Sequence, residues 1–278
     1  MDKETARERK RFAKRIQMET VKMIAKLGVG HIGGALSMAD LLAVLYGGQL
    51  RHDPQNPQWK GRDWLVCSKG HAGPGLYAAL ALRGYFPLEQ LDTLNRPGTM
   101  LPSHCDRNLT LGIDMTTGSL GQGASSAAGI ALAHKLDKAE NIVYLILGDG
   151  EIQEGQVWEM ALFAAQQKLS NLIVFVDNNH LQIDGPTDEV NSLGDIAAKF
   201  RSFGWFAADV CGHDPVAIDD AIELAKRQTE APSVIVLDTV KGNGWTATAG
   251  KAGSHSRTIS EDEKNEALLE MQQAYDEI

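Results

Sequence analysis

The chain has 278 residues, of which 43% are hydrophobic and 23% charged, with a formal net charge of -9 at pH 7. That length suits one large α/β domain, and the acidic balance argues against a broad nucleic-acid surface. No apolar run approaches the length that spans a bilayer. Asp2, Glu4, Glu8 and Glu19 make the N-terminal segment unlike a transit or secretory leader. Cys67, Cys105 and Cys211 are widely spaced with no CxxC pair, so neither a zinc site nor a disulfide framework is expected. A reducing cytoplasm fits such a chain.

In chain order, residues 1–28 predict an amphipathic helix, followed by the glycine-rich break GVGHIGG. MADLLAVLY predicts a second helix with Ser37 as its N-cap, and residues 51–62 a polar, proline-containing loop. DWLVC predicts a strand that turns through SKGHAGPG into a helix over GLYAALALRG. Residues 95–116 are irregular. From there the pattern is regular: a helix in GQGASSAAGIALAHKLD, a strand in NIVYLIL, a helix in EGQVWEMALFAAQQK, and a strand in NLIVFV. Next come a helix in LGDIAAKFRSFG, a strand in WFAADV, a helix after Pro215, and a strand in PSVIVLDTV. Ser260 and Glu263 form a capping box before a last polar helix. Apolar strands alternating with helices predict an α/β fold, a parallel central sheet with helices on both faces. Ligands then sit beyond the carboxyl ends of the strands.

Two segments fall at those ends. GDGEIQEG follows NIVYLIL, and DNNHLQIDG follows NLIVFV. Gly148 and Gly150 let backbone amides approach phosphate oxygens, with a helix start behind them favouring negative charge. Asp149 offers one anionic oxygen, Asn179 a neutral one, and the carbonyl of Leu181 a third. Diphosphate oxygens and a water would complete the six oxygen ligands of Mg²⁺, or of Ca²⁺ or Mn²⁺ in its place. Because the protein brings one negative charge, metal and diphosphate affinities should be coupled. GDGEIQEG is neither GxGxxG nor a P-loop.

Four of the eight histidines, His31, His71, His104 and His255, sit in glycine- or serine-flanked breaks, where catalytic side chains tend to be mounted. Imidazole can donate and accept a proton near neutral pH. His52, His134, His180 and His213 are expected to be structural or exposed.

GDG followed some thirty residues later by NN resembles the thiamine-diphosphate motif, and its surroundings resemble transketolase. GVGHIGGALSMADLLAVLY, SKGHAGPGLY, MLPSHC, TTGSLGQG, GDGEIQEG, DNNHLQIDG and AGSHS stand in that family's order, from about residue 12 to 257. The resemblance implies a thiamine-diphosphate-binding fold over residues 1–278, with an N-terminal helical extension to one diphosphate-binding domain. It implies Asp149, Asn179 and Leu181 on the metal. Gly118, Ser119, Leu120, Gly148, Gly150, Glu151 and Ile183 would lie on the cofactor, with His71 and His255 reaching both it and the reacting centre. His31, His104 and His255 would face the donor and acceptor sugars, and Glu154 and Glu159 would lie in a carboxylate network at a subunit interface.

A transketolase is normally more than twice this long. The pyrimidine-binding domain, with its activating glutamate, and a third domain are absent here. The resemblance therefore implies one subunit of a split enzyme, transferring a two-carbon ketol unit from a ketose phosphate to an aldose phosphate. A separate partner chain, two copies of each, would complete it. A 1-deoxyxylulose-5-phosphate synthase-like carboligase and a non-catalytic cofactor-binding scaffold are the alternatives. The sequence departs from the family after His255, where Ser256, Arg257 and Thr258 replace a further histidine, and at Ile32-Gly33. Arg257 is read as a phosphate contact or a surface charge, and Cys105 as a bystander thiol beside His104.

Overall fold

The computed structural model describes all 278 residues. Five strands form one sheet: β1 (Trp64–Cys67), β2 (Val143–Gly148), β3 (Leu172–Asn178), β4 (Phe206–Cys211) and β5 (Ser233–Asp238). Their order is β1-β2-β3-β5-β4, and every neighbouring pair is parallel. All carboxyl ends therefore lie on one edge of the sheet, as the apolar runs predicted.

Alternation along the strands sorts their side chains into two cores. Tyr144 and Ile146 of β2, Ile173 and Phe175 of β3, and Ile235 and Leu237 of β5 enter one cluster. Their neighbours Val143, Leu145, Leu147, Leu172, Val174, Val176, Val234 and Val236 enter the other. The first cluster is roofed by Lys3–Leu27, Ala39–Val44, Gly73–Leu82, Pro215–Lys226 and Glu261–Asp276, and the second by Gln122–Leu136, Gly155–Gln166 and Ile196–Ser202. β4 is the exception to the apolar pattern. As an edge strand it is only half covered, which is why FAADVC mixes polar and small residues.

The first helix follows from its sequence. Asp2 accepts the Thr5 amide as N-cap, and Gly28, at φ 100°, ends the helix in the left-handed region. Ile16, Thr20 and Ile24 recur at helical spacing on the buried face. At the other end of the chain the capping box at Ser260 and Glu263 is present as expected. No helix is long and apolar enough to cross a membrane.

Ser37 does not cap a helix. It is the last residue of Gly33–Ser37, and its buried hydroxyl donates to Asp177 Oδ2 at 2.5 Å. A carboxylate 140 residues away competes for that hydroxyl, which local spacing does not reveal.

Candidate active site

Four loops leaving β1, β2, β3 and β5 meet the glycine-rich segment of His31 at the carboxyl edge of the sheet. They enclose a cavity of about 270 Å³ whose lining includes His31, His71, His104, Gly118, Leu120, Gly148, Asp149, Gly150, Glu151, Asn179, Leu181, Ile183 and His255. Those positions, drawn from segments scattered between His31 and His255, come together in one place. Ser119 is exposed and does not line the cavity. Glu154 and Glu159 lie exposed at and just after the start of Gly155–Gln166.

Each histidine is held by its backbone. Val29–Gly30 pairs antiparallel with Arg257–Thr258, which ties the His31 segment to that of His255. His71 sits in the single turn Gly70–Ala72 after β1. His104 lies in the irregular segment, anchored when Cys105 donates its amide to Gly70 O. Gly118, at φ 147°, is needed beside it, since a Cβ there would come within 2.9 Å of the His104 ring. The four imidazoles form one cluster: His31 is 5.4, 5.6 and 5.3 Å from His71, His104 and His255, and His71 is 5.0 Å from His255.

Burial keeps these rings neutral. It pushes His71 down to about 2, helped by the Lys69 charge, and His255 down to about 4, helped by Lys241. His31 is lowered by burial and then by His104, and His104 by burial. Four neutral imidazoles suit sugar hydroxyls, which need both donors and acceptors, better than an anionic group.

Charge for an anion comes from two lysines that sequence pattern alone did not single out. Lys69, 1% exposed, forms a buried ion pair with Asp177 and also donates to Gly34 O at 2.9 Å. Lys241, 3% exposed, donates to Leu181 O at 2.9 Å and lies 3.3 Å from His255 Nδ1. The available signal was position: each lysine stands shortly after a buried strand and directly before a glycine. Lys69 lines the cavity, and Asp177 sits behind it. Thr239 donates to Asp177 Oδ1 at 2.5 Å, and Asn179 Nδ2 reaches Asp177 Oδ2 at 3.3 Å. Burial alone would raise the Asp177 carboxyl, but the Lys69 charge and bonds from Lys69, Ser37 and Thr239 outweigh it, leaving it below the usual range.

The residues expected on a metal, Asp149, Asn179 and Leu181, all line the cavity. Asp149 Oδ1 accepts from the Gly150 amide at 2.8 Å, whereas its Oδ2 is buried with no partner. Burial, and then the Asp177 charge, push this carboxyl up to about 6. A cation on Oδ2 would satisfy both the atom and the charge. With its Nδ2 turned to Asp177, the Asn179 amide presents Oδ1 as its acceptor; that oxygen accepts from the Leu181 amide at 3.3 Å and keeps a second lone pair. His180, between Asn179 and Leu181, takes φ 63°, uncommon for a side chain of its size, and its ring pairs with Asp238 at 2.7 Å. No cluster of three His, Cys, Asp or Glu is arranged for a metal, so protein ligands alone are few and a diphosphate would have to supply others. On these observations the donor set fits a hard cation bound together with a diphosphate.

Two placements differ from the expectation. The helix behind the GDG glycines begins only at Gly155, after the turn Glu151–Gln153, so no long helix N-terminus points at Gly150. Glu151 lines the cavity, yet its carboxylate accepts from Ser68, from the Gly121 amide at 2.9 Å and from the Gly148 amide at 3.1 Å. It braces the TTGSLGQG loop against the GDG loop. Arg257 is also spoken for: it stacks 5.0 Å over the Trp245 ring and pairs with Glu263, stapling the His255 loop to the last helix. Cys105 is buried.

Residues 8–275 match the family described as transketolase, thiamine diphosphate binding domain. The chain belongs to the transketolase family. It is 53% identical over 257 residues to the 6-deoxy-6-sulfo-D-fructose transketolase subunit SqwG of Clostridium sp. (strain MSTE9), covering 92% of this chain and 94% of that protein. To one of the apulose-4-phosphate transketolase subunits of Phocaeicola vulgatus it is 34% identical, covering 93% of this chain and 92% of the other. The crystal structure of transketolase from Campylobacter jejuni superposes with a TM-score of 0.90 at 31% identity, over 98% of this chain and 43% of that one. The chain thus spans nearly the whole of the transketolase relatives that are subunits, and less than half of that longer transketolase.

The buried charges can be tested through stability. Lys69→Met strands Asp177 without its cation and should cost about 3–5 kcal/mol in urea denaturation. Lys69→Met/Asp177→Asn, which removes both charges but keeps a polar end for Ser37 and Thr239, should cost less than Lys69→Met alone. Acid offers a second measurement. An unfolded imidazole titrates near 6.5, while folded His71 holds near 2. As pH falls below about 6.5 the unfolded chain takes up the proton first, so stability is full above that pH and drains away toward acid. The urea midpoint should drop between pH 7.5 and pH 5, and the drop should shrink in His71→Gln.

Proposed function

We propose that this chain is the diphosphate-binding subunit of a split transketolase, moving a two-carbon ketol unit from a ketose phosphate to an aldose phosphate. One observation carries the proposal: four neutral histidines ring the same cavity that holds an unpartnered buried carboxylate oxygen. In this reading Asp149, Asn179 and the Leu181 carbonyl hold Mg²⁺, and Gly150 with its neighbours receives the diphosphate. When bound, thiamine diphosphate supplies the electron sink that lets a carbon–carbon bond beside a carbonyl break. This chain's own residues bind and orient. Gly118 and Leu120 give the cofactor a close-fitting wall, Ile183 covers its mouth, and Glu151 keeps the two cofactor loops in register. His31, His104 and His255 hold sugar hydroxyls, and their ring nitrogens are placed to take up or return a hydroxyl proton. His71, the most deeply buried of the four, keeps a neutral donor or acceptor near the reacting centre. Glu154 and Glu159, exposed beside these loops, are available to a subunit interface.

We infer that residues 1–278 form one diphosphate-binding domain, and that a separate pyrimidine-binding subunit completes the site, two copies of each, in the cytoplasm. The support is the near-complete coverage of relatives named as subunits. Free cysteines accord with a reducing compartment. Because a relative at 53% identity is named for 6-deoxy-6-sulfo-D-fructose, the sugar's terminal anion is a sulfonate or a phosphate, and both belong in the assay.

The direct test mixes the purified chain with the product of a neighbouring pyrimidine-binding gene, thiamine diphosphate and Mg²⁺, and follows ketol transfer from xylulose 5-phosphate and from 6-deoxy-6-sulfo-D-fructose. Transfer should require both chains. Robust turnover by this chain alone would defeat the split-site reading, and turnover from pyruvate instead would favour the carboligase. Variants separate the roles. Asp149→Ala should weaken Mg²⁺-dependent binding of thiamine diphosphate, read by calorimetry, by roughly a hundredfold or more. His104→Ala should leave that binding nearly intact and lower kcat/KM for the sugar.

A further inference from the structure

Lys241 presents an unusual combination within the cavity. Its side chain is buried, yet it forms no ion pair with a carboxylate, although buried lysines nearly always have one. Its ammonium instead bonds the carbonyl of Leu181 and the ring of His255. In the same cavity Asp149 Oδ2, equally buried, has no cation in contact. Charge is thus present in both signs but not joined, and the lysine occupies a carbonyl that the proposed metal would need.

We infer that Lys241 is a placeholder cation, which competes with the metal for the Leu181 carbonyl and yields it only when a diphosphate takes the ammonium. The inference rests on the metal-and-diphosphate reading above and concerns how that site fills. An ammonium at 2.9 Å satisfies a carbonyl about as well as its geometry allows. A divalent cation arriving alone must break that bond and leave the ammonium without its carbonyl in a buried cavity. A diphosphate offers the ammonium a better partner, so the carbonyl is released at the moment the metal also gains phosphate oxygens. Metal and diphosphate are then coupled by exchange of one ammonium, in addition to their direct attraction.

The loop allows that exchange without moving itself. Val240 donates its amide to His213 Nε2 at 2.8 Å, and His213 Nδ1 lies 3.0 Å from Asp40 Oδ2. The Lys241 carbonyl accepts from Gly250, and the Gly242 amide donates to Gly33 O. The stem runs so close to Gly33 that a Cβ there would come within 2.9 Å of Lys241 Cγ. Backbone and inner stem are therefore fixed. Only the outer torsions are free to swing the ammonium, a fast motion of a four-carbon side chain.

The test measures Mn²⁺ binding by electron paramagnetic resonance on the full chain, with and without thiamine diphosphate. Wild type should bind Mn²⁺ weakly alone and much more tightly with thiamine diphosphate. Lys241→Met should bind Mn²⁺ alone roughly tenfold more tightly, while the gain on adding thiamine diphosphate shrinks. Lys241→Gln should move both in the same direction and serves in place of the methionine variant if that one melts at a lower temperature. Opposite signs on the two measurements are the signature, since a general loosening of the loop weakens both. Unchanged or weaker binding of Mn²⁺ alone in a variant of normal melting temperature would overturn the placeholder. Absence of any thiamine-diphosphate-stimulated Mn²⁺ binding in wild type would instead overturn the functional reading itself.

Discussion

The buried ion pair between Lys69 and Asp177 is the constraint on which the cavity depends. Lys69 belongs to the turn after β1, and Asp177 to the end of β3. Ser37 and Gly34 bring in the helix after His31, Thr239 brings in the exit of β5, and Asn179 hangs from the same carboxylate. The segments that carry His31, His71, Asn179 and Lys241 are thus tied to one pair of charges. Such a pair is expensive to bury, and its attraction offsets the desolvation only because the remaining hydrogen-bonding positions of the carboxylate are filled. In return the loops lose their freedom to splay. Positions in a site that must hold a ligand to within a fraction of an ångström benefit from that rigidity more than the fold's stability does.

Electrostatic roles are divided by depth. The imidazoles at the cavity surface are neutral because burial and the neighbouring ammoniums disfavour a further positive charge. Carboxylates lie close to the ammoniums: Asp177 pairs with Lys69, and Asp149 lies within electrostatic range of Lys241, where it opposes the lowering that burial imposes. In the proposed reading, hydroxyl recognition and anion recognition then fall to different residues, although all line one cavity. A histidine cluster without the lysines would charge more readily and bind sugar hydroxyls less selectively against anions.

Much of this was legible in the sequence, and the reason is local. The inner strands of the sheet are apolar runs, the first and last helices have side-chain caps, and Asp149, Asn179 and the four histidines stand in turns marked by glycine, serine or asparagine. Positions fixed by short-range pattern were readable. Lys69, Asp177 and Lys241 were not, because their meaning lies in partners up to 140 residues away. SKGHAG reads as a turn, and the aspartate in VFVDNN reads as the polar end of a strand. Ser37 failed for the same reason, its hydroxyl taken by Asp177 rather than by a helix start. Arg257 was undecided between ligand and surface because cation–π stacking on Trp245 and pairing with Glu263 depend on how the last helix folds back.

A site shared with a partner chain, as proposed, would have to hold its shape before it is completed. In the proposed reading, thiamine diphosphate and a partner chain meet a surface that already carries two unsatisfied features. These are the lone Asp149 oxygen and an apolar Ile183 that is 68% exposed at the cavity mouth. Neither is costly enough alone to unfold a domain whose two cores are built from fully buried side chains. Each is instead an unused interaction, one inside the cavity and one at its mouth. The oxygen favours a cation, and the isoleucine favours an apolar cover. The backbone strain at His180, lying between two proposed ligand positions, has the same character: it is held by its neighbours, with the Asp238 pair and the β5 exit beside it, rather than relaxed. A surface prepared this way gives up little ordering entropy when its ligands bind, because the folding of this chain has already fixed the loops.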